Sequence, residues 1–569
     1  MRIGFGLLLI AAVTVGCSSH KLVYHPGGEP SSEHDNQTIP APKLADPVLA
    51  WQSLDRSVWE QGEQLLDMDR NFRKLIGRPR EAYNMTRFDG VANSSWFTNR
   101  IGIDAIDPAE VERGPNDAPG PDTTGPWIVS RPKIQGFTIG FWIKDVRGDQ
   151  YIMKFDPSDN PEIATAAAAM GSRYFHACGY NVPEETIVYW RPEQLQIQPG
   201  ITFTDRSGKT REFTQEYLDD MLKDVYRLPD GRIRSLASKL LPGKVVGPFS
   251  YDGRRKDDPN DWCPHENRRE LRGLYVIASL INHYDAKDQN TLDLYVTEGE
   301  RRYVKHHLID FGSTFGANSN RPKGPKQGYC NIFDLRDVLV SWFTLGLKKW
   351  GWEDAQPYQY KTIGYFESEI FQPNKWDVIV PNPAFENLTA RDAYWGAKVV
   401  MAWREEYLRA LVAAGKYSDP EAEAYLIKTL MERREKIGRY WFGRVNPLDD
   451  FTLEISPAGP RLRFDDLAVR YSLETASTTK YRWTCRARDR AVSEWTQFTE
   501  TSIELNQDLI AKVAAAFAAH KSPSDRDHLV EIRIETKRSD SSWSKPALAW
   551  LWFHPETGQL ELVGIEHLD

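Results

Sequence analysis

His283-Tyr284-Asp285-Ala286-Lys287-Asp288-Gln289-Asn290 sets a carboxylate, an ammonium and a carboxamide at fixed offsets, with the spacing H-x-D-x-K-x-x-N. Asp310-Phe311-Gly312 follows after residues 291–296 and 302–309, which read as two strands around a Glu298-Gly299-Glu300 turn. An aspartate in such a loop can orient an acceptor hydroxyl and take its proton. The side-chain oxygens of Asn290 and Asp310 are hard ligands of the kind Mg²⁺ takes. A hairpin between them brings both oxygens to the same end of one cleft.

The elements upstream must position this loop. Residues 133–156 read as a glycine-bearing turn, Gly136-x-Thr138-x-Gly140, followed by a hairpin: Phe141 to Lys144, a turn over 145–149, and Gln150 to Phe155. Lys154 lies on the second strand. Asn160-Pro161-Glu162 then opens an alanine-rich helix that ends at Gly179, with Asn as cap, Pro at the first position and Gly beyond the end. Ile163, Ala167, Met170, Tyr174 and Cys178 form its apolar stripe.

In this order, loop, hairpin and Asp-Phe-Gly turn resemble the protein-kinase-like superfamily. The resemblance spans roughly 130 to 445. It implies a two-lobed fold and Mg²⁺-dependent phosphoryl transfer from ATP or another nucleotide to a hydroxyl acceptor, a reaction that asks a protein mainly for positioning and charge neutralisation. It implies Asp285 and Lys287 as catalytic, Asn290 and Asp310 as metal ligands, and Lys154 with Gly136, Thr138 and Gly140 on the nucleotide. No A-P-E motif follows the turn, the glycine loop is incomplete, and the stretch from Trp190 to the loop is long. These departures resemble the atypical bacterial branches, HipA-type and phosphatidylinositol-kinase-like. In the families resembled, a helical Glu fixes the Lys. Here the helix middle, 165–170, has no carboxylate, and Glu162 is the only acidic residue between Pro161 and Gly179. Glu162 either favours the helix N-terminus or pairs with Lys154; without a fixed partner, Lys154 is poorly oriented and transfer is weak.

Simpler roles stand beside these. His283 reads as a structural loop residue, and Lys287 either neutralises phosphate or is solvated. His306 and His307 alternate across a strand and face opposite ways. His265-Glu266 is not a zinc motif, because position 269 is Arg. Arg268, Arg269 and Arg272 read as a helix face paired with Glu266 and Glu270.

The N-terminus points to export. A basic start, an apolar stretch from Ile3 to Val13 and Thr14-Val15-Gly16-Cys17 form a secretory signal ending on cysteine. The site resembles a bacterial lipobox, which implies lipidation of Cys17 and anchoring in the cell envelope, at the outer membrane facing the periplasm. Cys178, Cys263, Cys330 and Cys485 remain for disulfides, with three complete pairings open. The chain of 569 residues has net charge −8, which argues against non-specific nucleic-acid binding.

The fold class expected is α+β: a two-lobed atypical kinase-like fold with a C-terminal β-sandwich-like domain. Its parts are a lipoprotein signal (1–17), a disordered tether (18–48), an N-terminal extension (49–130), an N-lobe with insertion (131–264), a helical C-lobe (265–447) and a β-rich accessory domain (448–569). The expected partners are a membrane, a nucleotide and a hydroxyl-bearing acceptor. The alternatives are a pseudokinase scaffold in the envelope, or a lipoprotein whose C-terminal aromatics hold a glycan or protein. The exported location favours the scaffold, since ATP is scarce there.

Overall fold

Trp127, Phe141, Phe155 and Trp190 gather on one face of a six-stranded sheet. The strand order is Glu185–Trp190, Ile233–Lys239, Gln150–Phe155, Gly140–Lys144, Trp127–Pro132, Leu195–Ile197, antiparallel except for the last pair. The structure, a computed structural model, describes residues 24–26, 35–44, 67–76, 79–103, 106–133, 140–204, 208–332, 335–456, 459–488, 490–519, 528–539 and 541–568. Cys17, the signal, most of the tether, and Gly136 and Thr138 of the glycine turn lie outside the described residues.

The opposite face of this sheet receives the helix Ile163–Cys178, where Ala168 and Ala169 meet Ile187 and Leu236. Alanine suits a helix pressed against a sheet, and every residue of this one is buried except His176. The helix is therefore buried all round, wider than the expected stripe, with Thr165, Ser172 and Arg173 among the buried residues. Its start also differs from expectation. The Asp156 carboxylate at the end of the lysine strand accepts from the N–H groups of Ala164 (2.8 Å) and Thr165 (2.9 Å), and Glu162 turns through φ 68°. The cap comes from across the turn, so Asn160 is not needed for it. The end is as expected: Gly179 sits at φ 115°, where a Cβ would lie 2.4 Å from the Phe97 ring.

The second lobe is built around Arg269–Leu280, packed against Ala390–Met401 and Pro420–Phe442. The helix expected over 391–414 is two helices, Ala390–Met401 and Glu405–Ala413. The break lets Trp403 turn inward onto Tyr174, with Nε1 donating to Cys178 Sγ at 3.3 Å. The arginine run is buried, not a solvated face. Arg269 and Arg272 pair with Asp392 at 3.2 and 2.9 Å, Arg269 also pairs with Asp89, and Arg268 reaches Asp261 at 3.2 Å and Glu270 at 3.4 Å.

From Leu448 the chain is mostly strand. Thr479–Ala487, Leu529–Arg538, Ala547–His554 and Gln559–His567 form one antiparallel sheet, and Leu448–Ser456, Gly459–Asp466 and Ser502–Glu504 another. The two sheets and the helix Gln507–Ala518 share one core around Leu462, Phe464, Cys485, Ile532 and Leu551. The fold is thus α+β. Residues 35–44, expected to be a structureless tether, instead pack: Asp35 accepts from Ser95 Oγ at 2.9 Å, and Ile39 N–H donates to the Arg302 carbonyl at 2.9 Å. Cys178, Cys263, Cys330 and Cys485 are all buried and free, so the disulfides that the sequence left open do not form among them.

Candidate active site

The lysine strand Gln150–Phe155 and the hairpin Thr291–Glu298/Arg301–Leu308 each end at the same cleft. Lys154 sits opposite Gly140 in the sheet register, where a Cβ would lie 2.3 Å from the Met153 carbonyl oxygen, so only glycine fits. Lys154 Nζ is 3.1 Å from Asp310 Oδ1. Lys154 foremost, against the opposing pull of burial, holds the Asp310 carboxyl below its ordinary range, with Lys133 and Lys287 adding to it. Three lysines thus act on one carboxylate, Lys154 alone by direct contact. Asp310 also has φ 60°, a left-handed conformation that is strained for a non-glycine residue.

The hairpin joins the two expected metal ligands. Thr291 pairs with Leu308, and Ile309 N–H donates to the Asn290 carbonyl at 3.0 Å, which sets Asn290 beside Asp310 on the backbone. Asn290 Nδ2 donates to Asp285 at its carbonyl (2.8 Å) and carboxylate (2.9 Å), so both amide protons are directed away from Oδ1. Lys287 Nζ lies 2.6 Å from Asp285 Oδ1. Asp285, Lys287, Asn290, Asp310 and Lys154 therefore belong to one site. Among the described residues no three His, Cys, Asp or Glu side chains gather as a metal site. Asn290 and Asp310 fit a hard divalent cation that takes its remaining ligands from phosphate and water.

His283 is a packing residue. It is buried, and its ring lies 5.2 Å from Phe175 and 5.9 Å from Phe311, while Phe175 and Phe311 are 5.1 Å apart. Burial, with Lys323 adding, lowers its pKa to about 3, so the imidazole is neutral. Helix, loop and Asp-Phe-Gly turn are stacked through these three rings. His306 and His307 act separately, as expected: His306 Nδ1 is 2.6 Å from Asp293, and His307 Nδ1 faces the Lys305 carbonyl at 3.1 Å.

Glu162 is not brought to Lys154. Its carboxylate accepts from Ser418 N–H at 3.1 Å and lies 4.0 Å from Arg234. The reversed backbone at Glu162 carries it to the far side of the helix start. The carboxylate that Lys154 feels besides Asp310 is Glu185. Glu185 begins the strand Glu185–Trp190, and the register Glu185–Ser238 and Lys154–Leu236 puts both side chains on the helix-facing side of the sheet. Burial raises its pKa to about 7, against the pull of Lys154 and with the push of Asp310. The signal in the sequence was a pair of adjacent carboxylates, Glu184 and Glu185, leading into an apolar strand, and only the register singles out Glu185. Lys133 was also missed and carries no comparable signal.

No family model matches this chain, and no curated protein matches it. Among solved structures it is similar to a Helicobacter pylori proinflammatory kinase, CtkA, with a TM-score of 0.30 and 11% identity over 57% of this chain and 99% of that one. It is similar to hydra Fam20 with sugar, with a TM-score of 0.28 and 10% identity over 60% of this chain and 96% of that one. It is also similar to the Golgi casein kinase with Mn/ADP bound, with a TM-score of 0.21 and 13% identity over 55% and 74% of the two chains.

Proposed function

We propose that the cleft binds a nucleotide with a divalent cation and transfers its phosphoryl group to a hydroxyl acceptor. The observation that carries this reading is the convergence of Lys154 and the Asn290–Asp310 hairpin end, with Lys154 Nζ 3.1 Å from Asp310. Lys154 and Lys133 offer positive charge to phosphate. Asn290 and Asp310 hold the cation, Mg²⁺ or Mn²⁺, whose charge would neutralise phosphate oxygens. Asp285 orients the acceptor hydroxyl and accepts its proton, and Lys287 beside it faces the transferred group. Glu185, a carboxylate whose charge acts on Lys154 from the neighbouring strand, stands in for the one the helix lacks, while the contact that holds Lys154 is Asp310. We place the protein in the bacterial envelope, lipid-anchored through Cys17.

One observation favours a scaffold without turnover. Both cleft carboxylates are already paired with lysines, Asp310 with Lys154 and Asp285 with Lys287, and a cation must displace the first. The glycan-binding alternative is less well supported, because the Arg482 guanidinium, 4.6 Å from both the Trp495 and Trp543 rings, already occupies a face of each.

The test is a titration of the purified chain with Mg²⁺-ATP and Mn²⁺-ADP. Binding at a hundredfold excess over Kd stabilises the fold by about 2.7 kcal/mol and raises the melting temperature. A rise with phosphate release supports the enzyme, and a rise alone supports the scaffold. No shift with either nucleotide would discard both.

A further inference from the structure

Lys323 is a buried lysine, 3% exposed, eleven residues beyond Gly312 and unassigned by the proposed chemistry. Its Nζ donates to two backbone carbonyls from different parts of the site, Phe315 at 2.9 Å and Asn282. It also lies 4.8 Å from the centre of the Tyr284 ring.

These two carbonyls belong to unusual residues. Asn282 has φ 50° and Phe315 has φ 49°, both left-handed without being glycine. Each is where the chain bends next to the site: Asn282 leads into the loop carrying Asp285 and Asn290, and Phe315 closes the turn that begins at Asp310. The two bends also touch directly, since Phe315 N–H donates to the Ile281 carbonyl at 2.5 Å. Around them Tyr284 Oη donates to Asn318 at 2.8 Å and accepts from Gln327 Nε2 at 2.6 Å. Lys323 N–H donates to Gly316 at 2.8 Å, which fixes the lysine to the turn.

Conformations of this kind persist only where surrounding bonds hold them. A neutral apolar side chain at 323 would take its donor from the buried Phe315 carbonyl and leave the Asn282 carbonyl with the Tyr284 N–H at 2.9 Å. The loop and the turn would then be held by the Phe315–Ile281 and Tyr284–Asn318 bonds without the clamp at their bends, and the spacing between them would loosen. Asn290 and Asp310 sit on opposite sides of this junction.

We propose that Lys323 is a positioning residue, whose buried Nζ clamps the loop of Asp285 and Asn290 to the turn of Asp310 and so sets the spacing at which a nucleotide-bound cation is shared. The role rests on the nucleotide–metal site proposed above.

The test uses the full chain with Lys323→Met and the milder Lys323→Gln. ADP affinity is measured with and without Mn²⁺, and amide exchange is followed at His283 and Phe315. We expect cooperative melting to persist and metal-free ADP affinity to hold. The gain in affinity from Mn²⁺ should fall about tenfold, and exchange at both amides should rise about tenfold together. An unchanged Mn²⁺ gain with unchanged exchange overturns the clamp. So does an equal loss of affinity with and without metal, or failure of both variants to fold, since either makes Lys323 a general stability residue. If the parent chain binds no Mn²⁺-ADP, the proposed function fails, and the exchange measurement alone then decides whether Lys323 joins the two bends.

Discussion

His567 donates from Nδ1 to Asp89 Oδ2 at 2.5 Å, across 478 positions of chain. The same buried carboxylate accepts from Arg391 Nε at 2.8 Å and from Arg269. One aspartate therefore ties the N-terminal extension, two helices of the second lobe and the last strand of the β-rich part. Burial works to raise the Asp89 pKa, but Arg269 and Arg391, with His567, outweigh it and hold the carboxyl well below its ordinary value. A depressed aspartate contributes stability above its unfolded pKa of about 4, and that contribution is lost as pH falls through the folded value. Asp89→Ala leaves two buried guanidinium groups without this partner and should cost about 3–5 kcal/mol. Melting temperatures measured from pH 7 downward should fall below about pH 4 in the parent, and less steeply in the variant. Parallel pH profiles would remove Asp89 from this role.

Glu162→Gln and Glu185→Gln should behave differently. The Glu162 carboxylate accepts from Ser418 N–H, an interaction a carboxamide oxygen can still make, so nucleotide binding and transfer should stay at parent level. Glu185 shares its side of the sheet with Lys154 and carries no other assigned role. Its neutralisation removes a buried charge acting on Lys154 and should lower transfer or Mn²⁺-ADP affinity up to about tenfold. Added to Lys154→Met, Glu185→Gln should cause little further loss, because Glu185 acts only through that lysine. A full extra loss in the double variant would show that the two act separately.

The contrast between these two glutamates shows where the sequence was readable. The loop 283–290, the hairpin and Asp310 were legible because their geometry is local: a register of adjacent strands fixes Asn290 beside Ile309. The lysine strand, the alanine helix end at Gly179 and the change of texture near 448 were legible for the same reason. Glu185 was not, because two neighbouring strands of the sheet, one of them over forty residues further along the chain, decide that it faces Lys154. Asp156 displaced Asn160 as the helix cap because backbone reversal at Glu162 brought a distant carboxylate onto the first turn. The arginines of 268–272 alternate with carboxylates in sequence, which mimics a solvated face. Only the fold shows that Asp89 and Asp392 draw them inward.

Asp310→Ala should abolish the Mn²⁺-dependent part of ADP binding, since one lost carboxylate removes a principal hard ligand. Lys154 loses its nearest partner at the same time, so metal-free ADP affinity should hold or rise slightly. Calorimetry with and without Mn²⁺ separates the two effects. Unchanged Mn²⁺ dependence would take Asp310 out of the metal site.

Cys17→Ser should release the protein from membranes if the N-terminal signal is processed as its sequence suggests. Fractionation of cells producing parent and variant checks this. Equal membrane recovery would mean that the anchor lies elsewhere.

Gly171 gives a test of how the helix controls the metal turn. A Cβ at 171 would lie 2.5 Å from Phe311 Cβ and 3.1 Å from Phe311 Cγ, distances that require one of them to move. Phe311 is as buried as the helix, and its Cβ moves only with its own backbone, so relief of the clash shifts the turn as well as the helix. Phe311 follows Asp310 directly and stacks on Phe175 and His283, so its displacement should carry the Asp310 carboxylate away from Asn290. Gly171→Ala should therefore cost about 1–3 kcal/mol as overpacking, while alanine's better helix propensity returns up to about 1 kcal/mol. The same substitution should reduce Mn²⁺-dependent ADP binding more than metal-free binding. Ala168→Gly is the control: it costs about 1 kcal/mol in the same helix but faces Ile187 and Leu236, away from Phe311. If both variants lower the melting temperature while only Gly171→Ala loses the Mn²⁺ effect, the contact with Phe311 positions Asp310. If both lose it equally, helix stability alone sets the site.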